Sequence, residues 1–370
     1  MTDPQGTSNT QSATEGMGGH GYYDDHSDIQ RNAVFAQIER IKRAVRKLNI
    51  DVPELRVVDY GCGPGRNSMP AFHAVLDEVR SLRPNLPVVT VSNDQIGNDW
   101  NDLFGNIASS EGFNNHPSLA RAEASVGSFF EPVASTGSVH FGMSFMAAHW
   151  LRGNIQIFSP ETLFFADMVG EARQQIRVRA DKDWTLFLRR RAEEMAQGGM
   201  LVLEVMSSIE DQSDYSGLAA GGHRLYRAFW QIAKGMTREG LVKPECLEMF
   251  VFPLYFREAF ELRAPLERED DLKNAFEIIE IEQELVPNPQ TEYLQSGGDS
   301  RAYARRYAAF ARGFSESAFR IGLFDPSASS PEEAASLSDT FYHRLEELFA
   351  REPERHVFET HSATVTLRRK

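Results

Sequence analysis

The sequence has few cysteines and no long apolar run. Only Cys62 and Cys246 occur among its 370 residues, which excludes a framework of disulfide bonds and is typical of a protein in the reducing cytosol. No stretch approaches the roughly 18 consecutive apolar residues that a membrane-spanning helix needs. Residues 1–16 lack the basic and apolar regions of a signal peptide, and we expect them to form a disordered tail. These absences predict a soluble cytoplasmic protein without a membrane partner.

Positive charge is also scarce. The chain carries 39 Lys and Arg residues against 53 Asp and Glu residues, which gives a formal net charge of -14 at pH 7. Because nucleic acids are bound through basic surfaces, this charge predicts no nucleic-acid partner. A small acidic ligand is still compatible with it, since a pocket needs only a few local hydrogen-bond donors.

Two kinds of apolar pattern alternate along the chain. Short buried runs predict strands over 55–60, 88–91, 138–145, 200–205, 276–285 and 357–367, with a further short segment over 125–130. Apolar residues at helical spacing predict helices over 29–48, 68–82, 183–195, 223–238, 302–319 and 331–351, and Gly198 with Gly199 is expected to end the third. Such alternation is typical of an α/β protein with a parallel, doubly wound sheet.

The alternation is interrupted after about residue 210, where a small, polar stretch over 211–222 predicts a loop. We therefore expect an α/β core made of residues 17–210, 272–290 and 340–370. Residues 211–271 and 291–339 are expected to form a largely helical cap beside it.

A glycine-rich turn follows the first predicted strand. Gly61, Gly63 and Gly65 give the pattern GxGxG, and Asp59 precedes them at the end of the strand. Glycine lets the backbone approach a ligand closely, and the N-terminus of the next helix favours a negative group there. A dinucleotide site would have GxGxxG, so the preceding acid and the missing last glycine favour S-adenosylmethionine. Asp94, just past the second strand, is placed to accept hydrogen bonds from both ribose hydroxyls.

Other functions are compatible with a glycine-rich turn taken alone. A protein that binds a cofactor without catalysis and an oxidoreductase both use such turns, although the missing GxGxxG argues against the second. His20 and His26 lie near Asp24 and Asp25 and could suggest a metal site. The segment is short and rich in glycine, so we predict no metal.

Several further segments resemble those of the SABATH methyltransferases, which methylate the carboxyl groups of acids such as salicylate, benzoate, jasmonate and indole acetate, or nitrogens in the caffeine pathway. In chain order the matching segments are MGGHG at 17–21, DYGCGPGRN at 59–67, NDQIGND at 93–99, GSFF at 127–130, the stretch from VHF at 139 to HW at 150, and GGMLVL at 198–203. The resemblance extends over residues 17–370. It implies a Rossmann-like methyltransferase sheet with a helical cap, S-adenosyl-L-methionine as cofactor and S-adenosyl-L-homocysteine as product.

The resemblance also implies residue roles. The cofactor residues would be Ser27, Asp59, Gly61 and Asn67 at the methionine part, Asp94 at the ribose, and Ser128 with Phe129 at the adenine. The catalytic pair would be Gln30 and Trp150, whose N–H groups hold the substrate carboxylate. The walls of the substrate pocket would come from Tyr23, Met146, His149, Tyr226, Trp230 and Tyr255. Met146 departs from the family, which has a tyrosine at this place that contacts both cofactor and substrate.

The resemblance implies methylation of a small organic acid. A carboxylic acid has a pKa near 4 to 5 and is ionised at neutral pH, so it needs no general base to attack the methyl group in line. The expected product is a methyl ester. N-methylation of a small heterocycle is the alternative, because that branch of the family also keeps a tryptophan at the place of Trp150. Family members are commonly homodimers, which predicts a homodimer here.

Overall fold

The computed structural model describes residues 16–19, 21–209, 219–220 and 222–370. The tail predicted over residues 1–16 therefore lies, apart from Gly16, outside the described residues. The same holds for His20 and for most of the loop predicted over 211–222.

Among the described residues, seven strands form one mixed sheet. The strands are β1 Leu55–Tyr60, β2 Val88–Asp94, β3 Leu119–Val126, β4 Val139–Phe145, β5 Met195–Met206, β6 Phe276–Val286 and β7 Thr360–Arg369. Their order in the sheet is β3-β2-β1-β4-β5-β7-β6. The first five run parallel to one another, and β7 runs antiparallel between β5 and β6. This confirms the predicted doubly wound, Rossmann-like sheet.

Helices cover the sheet and form a large layer beside it. They are α1 Tyr22–Asp25, α2 Asp28–Ala36, α3 Ile38–Val45, α4 Met69–Leu82, α5 Trp100–Ala108, α6 Gly170–Glu194, α7 His223–Arg238, α8 Pro244–Met249, α9 Ala259–Arg268, α10 Asp270–Ala275, α11 Pro289–Gln295, α12 Ser300–Phe319, α13 Asp325–Ser327 and α14 Pro331–Arg351. One apolar core joins α7, α12 and α14 to the loop around Phe252. Two further cores lie on the two faces of the sheet. The domain boundaries that the sequence suggests stay a prediction.

Two predicted helices differ from those observed. The helix predicted over 29–48 is interrupted at Gln37, a fully buried residue whose amide donates to Glu284 on β6 at 2.8 Å. The helix predicted over 183–195 begins much earlier, at Gly170, and ends at Glu194. Gly198 and Gly199 do not end it, because Met195 already pairs with Val139 and the glycines lie in an irregularity of β5. The long polar N-terminal half of α6 explains why periodicity alone missed its start.

One acid lies inside the core. Glu204 on β5 is fully buried, and its carboxylate oxygens form no hydrogen bond of normal geometry with a described residue. Burial raises the pKa of Glu204 to about 7, with a smaller contribution from the nearby Glu284 carboxylate, against the opposing effects of Ser362, Gln37 and Arg40. The folded protein therefore holds a proton on Glu204 that the unfolded chain releases near pH 4.5.

Because its folded pKa is raised, Glu204 contributes stability that is present below about pH 4.5 and is lost as the pH rises through about 7. Glu204→Gln should therefore match the wild type near pH 5 and exceed its free energy of unfolding by about 1–3 kcal/mol at pH 8. Urea unfolding at four pH values between 5 and 8 measures the difference. The exposed Glu277→Gln on β6 is the control and should stay within about 0.5 kcal/mol throughout. A constant difference for Glu204→Gln would contradict the prediction.

Candidate active site

The glycine-rich turn lies between β1 and α4. Gly61 has a φ of 83°, a left-handed conformation that favours glycine. A Cβ atom on Gly61 would lie 2.4 Å from the Cβ of Ala147 and 3.4 Å from the ring of Phe129. Only a residue without a side chain fits between these two neighbours, and the turn therefore forms an open cradle of backbone at the end of β1.

Two carboxylates lie at the ends of adjacent strands. Asp59 on β1 is 1% exposed and accepts a hydrogen bond from the Ser68 hydroxyl at 2.5 Å. Burial raises the pKa of Asp59 to about 7. Asp94 is the last residue of β2 rather than following it, and it accepts hydrogen bonds from the N–H groups of Gly63 and Gln95, both at 2.7 Å. Both acids thus border the glycine-rich turn, at the end of the sheet where ligands bind in doubly wound folds.

A second group of predicted cofactor residues meets at the start of α2. The Asn67 amide donates to the Ser27 hydroxyl at 2.8 Å, and Arg31 donates to the other side of the same amide at 3.3 Å. Tyr23 reaches the same region, since its Cε1 lies 3.8 Å from a Cβ built on Gly63. Residues that are about 40 positions apart in sequence therefore form one surface next to the turn.

The turn after β3 completes this surface. The Ser128 hydroxyl accepts from the N–H of Phe130 at 3.2 Å, which fixes the turn locally. The carbonyl of Phe129 accepts at 2.8 Å from Arg191, whose side chain is fully buried and paired with Glu194 at 2.9 Å. The structure thus brings together all seven residues predicted to bind the cofactor. Their acids, amide and backbone cradle fit a ligand with an amino acid, a ribose and a flat base.

An aromatic cavity lies beside Tyr23. It occupies about 470 Å³ including the part open to solvent. Its walls are formed by Met17, Tyr23, Ile29, Gln30, Met146, His149, Trp150, Met206, Tyr226, Leu254, Phe256, Phe310, Phe314 and Phe358. None of these described residues carries a charge at neutral pH, because burial lowers the pKa of His149 to about 3. The cavity can therefore hold an apolar molecule without pairing it with a fixed charge.

Two neutral donors of the cavity have no partner. The Gln30 side chain on α2 and the Trp150 indole N–H form no hydrogen bond with any described residue, and the buried Gln30 oxygen is also unpaired. Trp150 is held in place by backbone pairing with Leu254. Both donors face a cavity whose other walls are largely apolar, so a ligand that fills it and displaces water has to pair them, which favours a polar ligand group at this place.

Met146 has an unusual backbone. Its φ of 56° lies in the left-handed region, and Met146 is the one non-glycine residue with positive φ in the part of the chain that the structure describes. Its N–H donates to the carbonyl of Glu204 at 2.8 Å, which holds this conformation at the end of β4. Backbone strain of this kind is concentrated at functional sites.

Two residues predicted to form the pocket walls lie outside the lining of the cavity. Trp230 is half-buried on α7 beside Lys234, one turn after Tyr226. Tyr255 lines a separate cleft between α6 and α9, where its hydroxyl donates to Glu261 at 2.9 Å. In an extended segment alternate side chains point to opposite sides, so Leu254 and Phe256 line the cavity in its place.

Comparisons with known proteins decide the family. Residues 8–370 match the family model described as SAM dependent carboxyl methyltransferase, where SAM is S-adenosylmethionine. The chain belongs to this family. It is 29% identical to anthranilate O-methyltransferase 1 of Zea mays over 278 residues, which are 65% of this chain and 69% of that protein. It is 27% identical to the salicylate/benzoate carboxyl methyltransferase of Arabidopsis thaliana over 296 residues, 72% of each.

A solved structure confirms the fold of this methyltransferase. The structure of loganic acid methyltransferase with SAH superposes with a TM-score of 0.75, covers 96% of this chain and 98% of that one, and is 20% identical in sequence. The predicted family, enzyme class and cofactor, S-adenosyl-L-methionine, are therefore confirmed.

Sequence reasoning missed part of the methyltransferase's cavity wall. Phe310 and Phe314 come from α12 and Phe358 from the segment before β7, all far from the motifs near residues 59 and 150. The spacing of four between Phe310 and Phe314 predicts one helix face, but it does not tell which cavity this face borders.

Two further features concern metal ions and membranes. In the described part of the chain, no three or more His, Cys, Asp or Glu side chains form a group that could hold a metal ion. None of the described helices has both the length and the apolar composition needed to cross a membrane.

Proposed function

We propose that this methyltransferase esterifies the carboxylate of a small organic acid and releases its methyl ester. The observation that supports this most is the pair of unpaired neutral donors, Gln30 and Trp150, in a cavity whose described walls carry no charge. An organic anion needs donors in such a place. A neutral apolar ligand would leave both side chains unpaired, at a cost of about 1–3 kcal/mol each.

The proposed role of Gln30 and Trp150 is to hold and orient the acid. S-adenosylmethionine, when bound, supplies the methyl group. Fixing the carboxylate oxygen in the direction of attack can contribute about 7–11 kcal/mol to lowering the barrier. Two neutral donors achieve this without the ion pair of a Lys or Arg, which would reduce the nucleophilicity of the carboxylate. The surrounding aromatic walls exclude water, which otherwise solvates the anion.

No side chain has to act as a base. The ring of His149 is neutral, because burial and the nearby Arg257 lower its pKa to about 3. Its Nδ1 already accepts a hydrogen bond from the N–H of Met206 at 3.3 Å. A carboxylate is ionised at neutral pH and needs no base, which agrees with this environment.

The cofactor roles are part of the same proposal. Asp94 is assigned to the ribose, and Ser128 with Phe129 to the adenine. The methionine part is assigned to Ser27, Asp59, Gly61 and Asn67. The apolar walls Tyr23, Met146 and Tyr226 are assigned to the acid. The homodimer, the cytoplasmic location and the division into core and cap stay predictions.

N-methylation of a heterocycle is the second candidate, because a ring nitrogen could also meet the Trp150 donor. A methyl-transfer assay separates the two. Labelled S-adenosylmethionine is offered with a panel of aromatic, indole and aliphatic acids and with xanthines, and each product is then treated with alkali. We expect a labelled product that alkali hydrolyses to methanol, as an ester does. A labelled product stable to alkali would refute carboxyl methylation.

A further inference from the structure

One hydroxyl in the cavity wall has no partner. Tyr226 on α7 is 3% exposed and lines the cavity. Its ring stacks on Phe164 with 4.0 Å between the ring centres and an angle of 6° between the planes, so the position of the hydroxyl is fixed. The hydroxyl forms no hydrogen bond with any residue in the described ranges. Burial raises its pKa well above the usual range, which keeps the proton in place, and the group can both donate and accept.

The walls around this hydroxyl form no hydrogen bond with it, although the buried hydroxyl of Tyr307 is near enough to interact with it electrostatically. Phe256 packs against the Tyr226 ring with 6.0 Å between the ring centres, and Phe252 lies on another side at 5.4 Å. In the open cavity water can satisfy the hydroxyl. An acid that fills the cavity displaces this water, and the hydroxyl then depends on a polar atom of the acid. An unpaired buried hydroxyl weakens binding by roughly 5- to 150-fold.

We propose that the Tyr226 hydroxyl makes the cavity selective for carboxylic acids that carry a second hydrogen-bonding group, a hydroxyl or an amino group. This inference rests on the proposed function, since it names the acids that the same site takes. Gln30 and Trp150 hold the carboxylate, which leaves Tyr226 for the second polar group. A site built to hydrogen-bond a substituent discriminates against an analogue that lacks it far better than apolar walls discriminate by size.

The test compares matched pairs of acids that differ by one hydroxyl: benzoate with the three hydroxybenzoates, and straight-chain acids with their hydroxy acids. Tyr226→Phe keeps the ring and its stack on Phe164 and removes only the hydroxyl. The wild type should prefer the best hydroxy acid over its parent by at least about tenfold in kcat/KM. Tyr226→Phe should lower kcat/KM for that hydroxy acid, whose own hydroxyl then lacks a partner, and raise it for the parent acid, which no longer leaves the tyrosine hydroxyl unpaired. The ratio between the two acids should therefore fall by roughly 5- to 150-fold, mainly through KM.

Tyr307→Phe is the matched control. Tyr307 is 1% exposed, and its hydroxyl also forms no hydrogen bond and interacts electrostatically with Tyr226, but Tyr307 does not line the cavity and so does not meet the acid. This variant should leave the ratio between the paired acids unchanged, even where it alters stability.

Two results would overturn this inference. The proposed function would still hold in both cases, provided that the wild type forms a methyl ester. One is a ratio between paired acids that Tyr226→Phe does not change. The other is an equal loss for both members of a pair, which would make Tyr226 a donor to the carboxylate. If the wild type forms no alkali-labile product with any acid, the proposed function itself fails and this inference fails with it.

Discussion

Replacing both donors of the cavity, Gln30→Met together with Trp150→Phe, is expected to lower kcat/KM for the acid by about 1,000-fold. Each hydrogen bond to a charged group contributes about 1.5–3 kcal/mol, and about 1.4 kcal/mol corresponds to a factor of ten. Methyl transfer neutralises the carboxylate, so the donors bind the acid at least as strongly before transfer as during it. The loss of binding should therefore appear in KM, and the loss of orientation should lower kcat as well. Initial rates with labelled S-adenosylmethionine measure both.

A control variant and a binding measurement distinguish a loss at the acid site from a general loss of structure or of cofactor binding. Trp230→Phe makes the same chemical change on α7, outside the lining of the cavity, and should alter kcat/KM by less than about twofold. The double variant should bind S-adenosylhomocysteine as the wild type does, because none of the proposed cofactor residues changes. If the double variant keeps the wild-type kcat/KM, neither side chain holds the carboxylate.

Gly61→Ala is expected to abolish cofactor binding and to lower the free energy of unfolding by about 2–5 kcal/mol. Two separate effects add. The left-handed φ of 83° disfavours any residue with a Cβ by about 1–2 kcal/mol. The new methyl group would also lie 2.4 Å from the Cβ of Ala147, and overpacking of this kind costs about 1–3 kcal/mol. Urea unfolding and calorimetry with S-adenosylhomocysteine measure the two losses.

Second-site and control variants separate these effects. Adding Ala147→Gly removes the close contact but not the backbone strain, and should therefore restore part of the stability. Gly235 lies in α7 with no atom within 4 Å of a Cβ placed on it. Gly235→Ala should thus be neutral or stabilise by up to about 1 kcal/mol. Equal effects of the two alanine substitutions would contradict the role given to the turn.

The sequence predicted the central strand β1 and the edge strand β6 to within one residue, but not the other edge strand. The run over 55–60 corresponds to β1 residue for residue, because a central strand is buried on both faces and most of its residues are apolar. The edge strand β3, Leu119–Val126, is half-exposed with few large apolar residues, and only a segment over 125–130 was predicted there. The strand predicted over 88–91 continues to Asp94, since polar side chains do not interrupt a backbone ladder.

The residues of the candidate site also differ in how well the sequence predicts them. Asp59, Gly61 and Asn67 lie within one short motif, so their proximity follows from local sequence. The cavity walls instead depend on contacts between distant segments, and periodicity does not tell which face of α7 or α12 meets the loop after β4. This is why Trp230, one turn after Tyr226 on α7, was predicted as a pocket wall although it lies outside the lining, and why Phe310 and Phe314 were missed.

Successive side chains of the segment Leu254–Arg257 point alternately into the cavity and into the cleft between α6 and α9. This segment therefore connects two sites that have no lining residue in common. Leu254 and Phe256 line the cavity, whereas Tyr255 and Arg257 line the cleft between α6 and α9. A substitution of Tyr255 or Arg257 that displaces this segment therefore also displaces the backbone that carries two of the cavity walls. Altered acid preference in a variant of this enzyme can thus originate from mutations that never contact the acid, and screens limited to cavity residues would miss them.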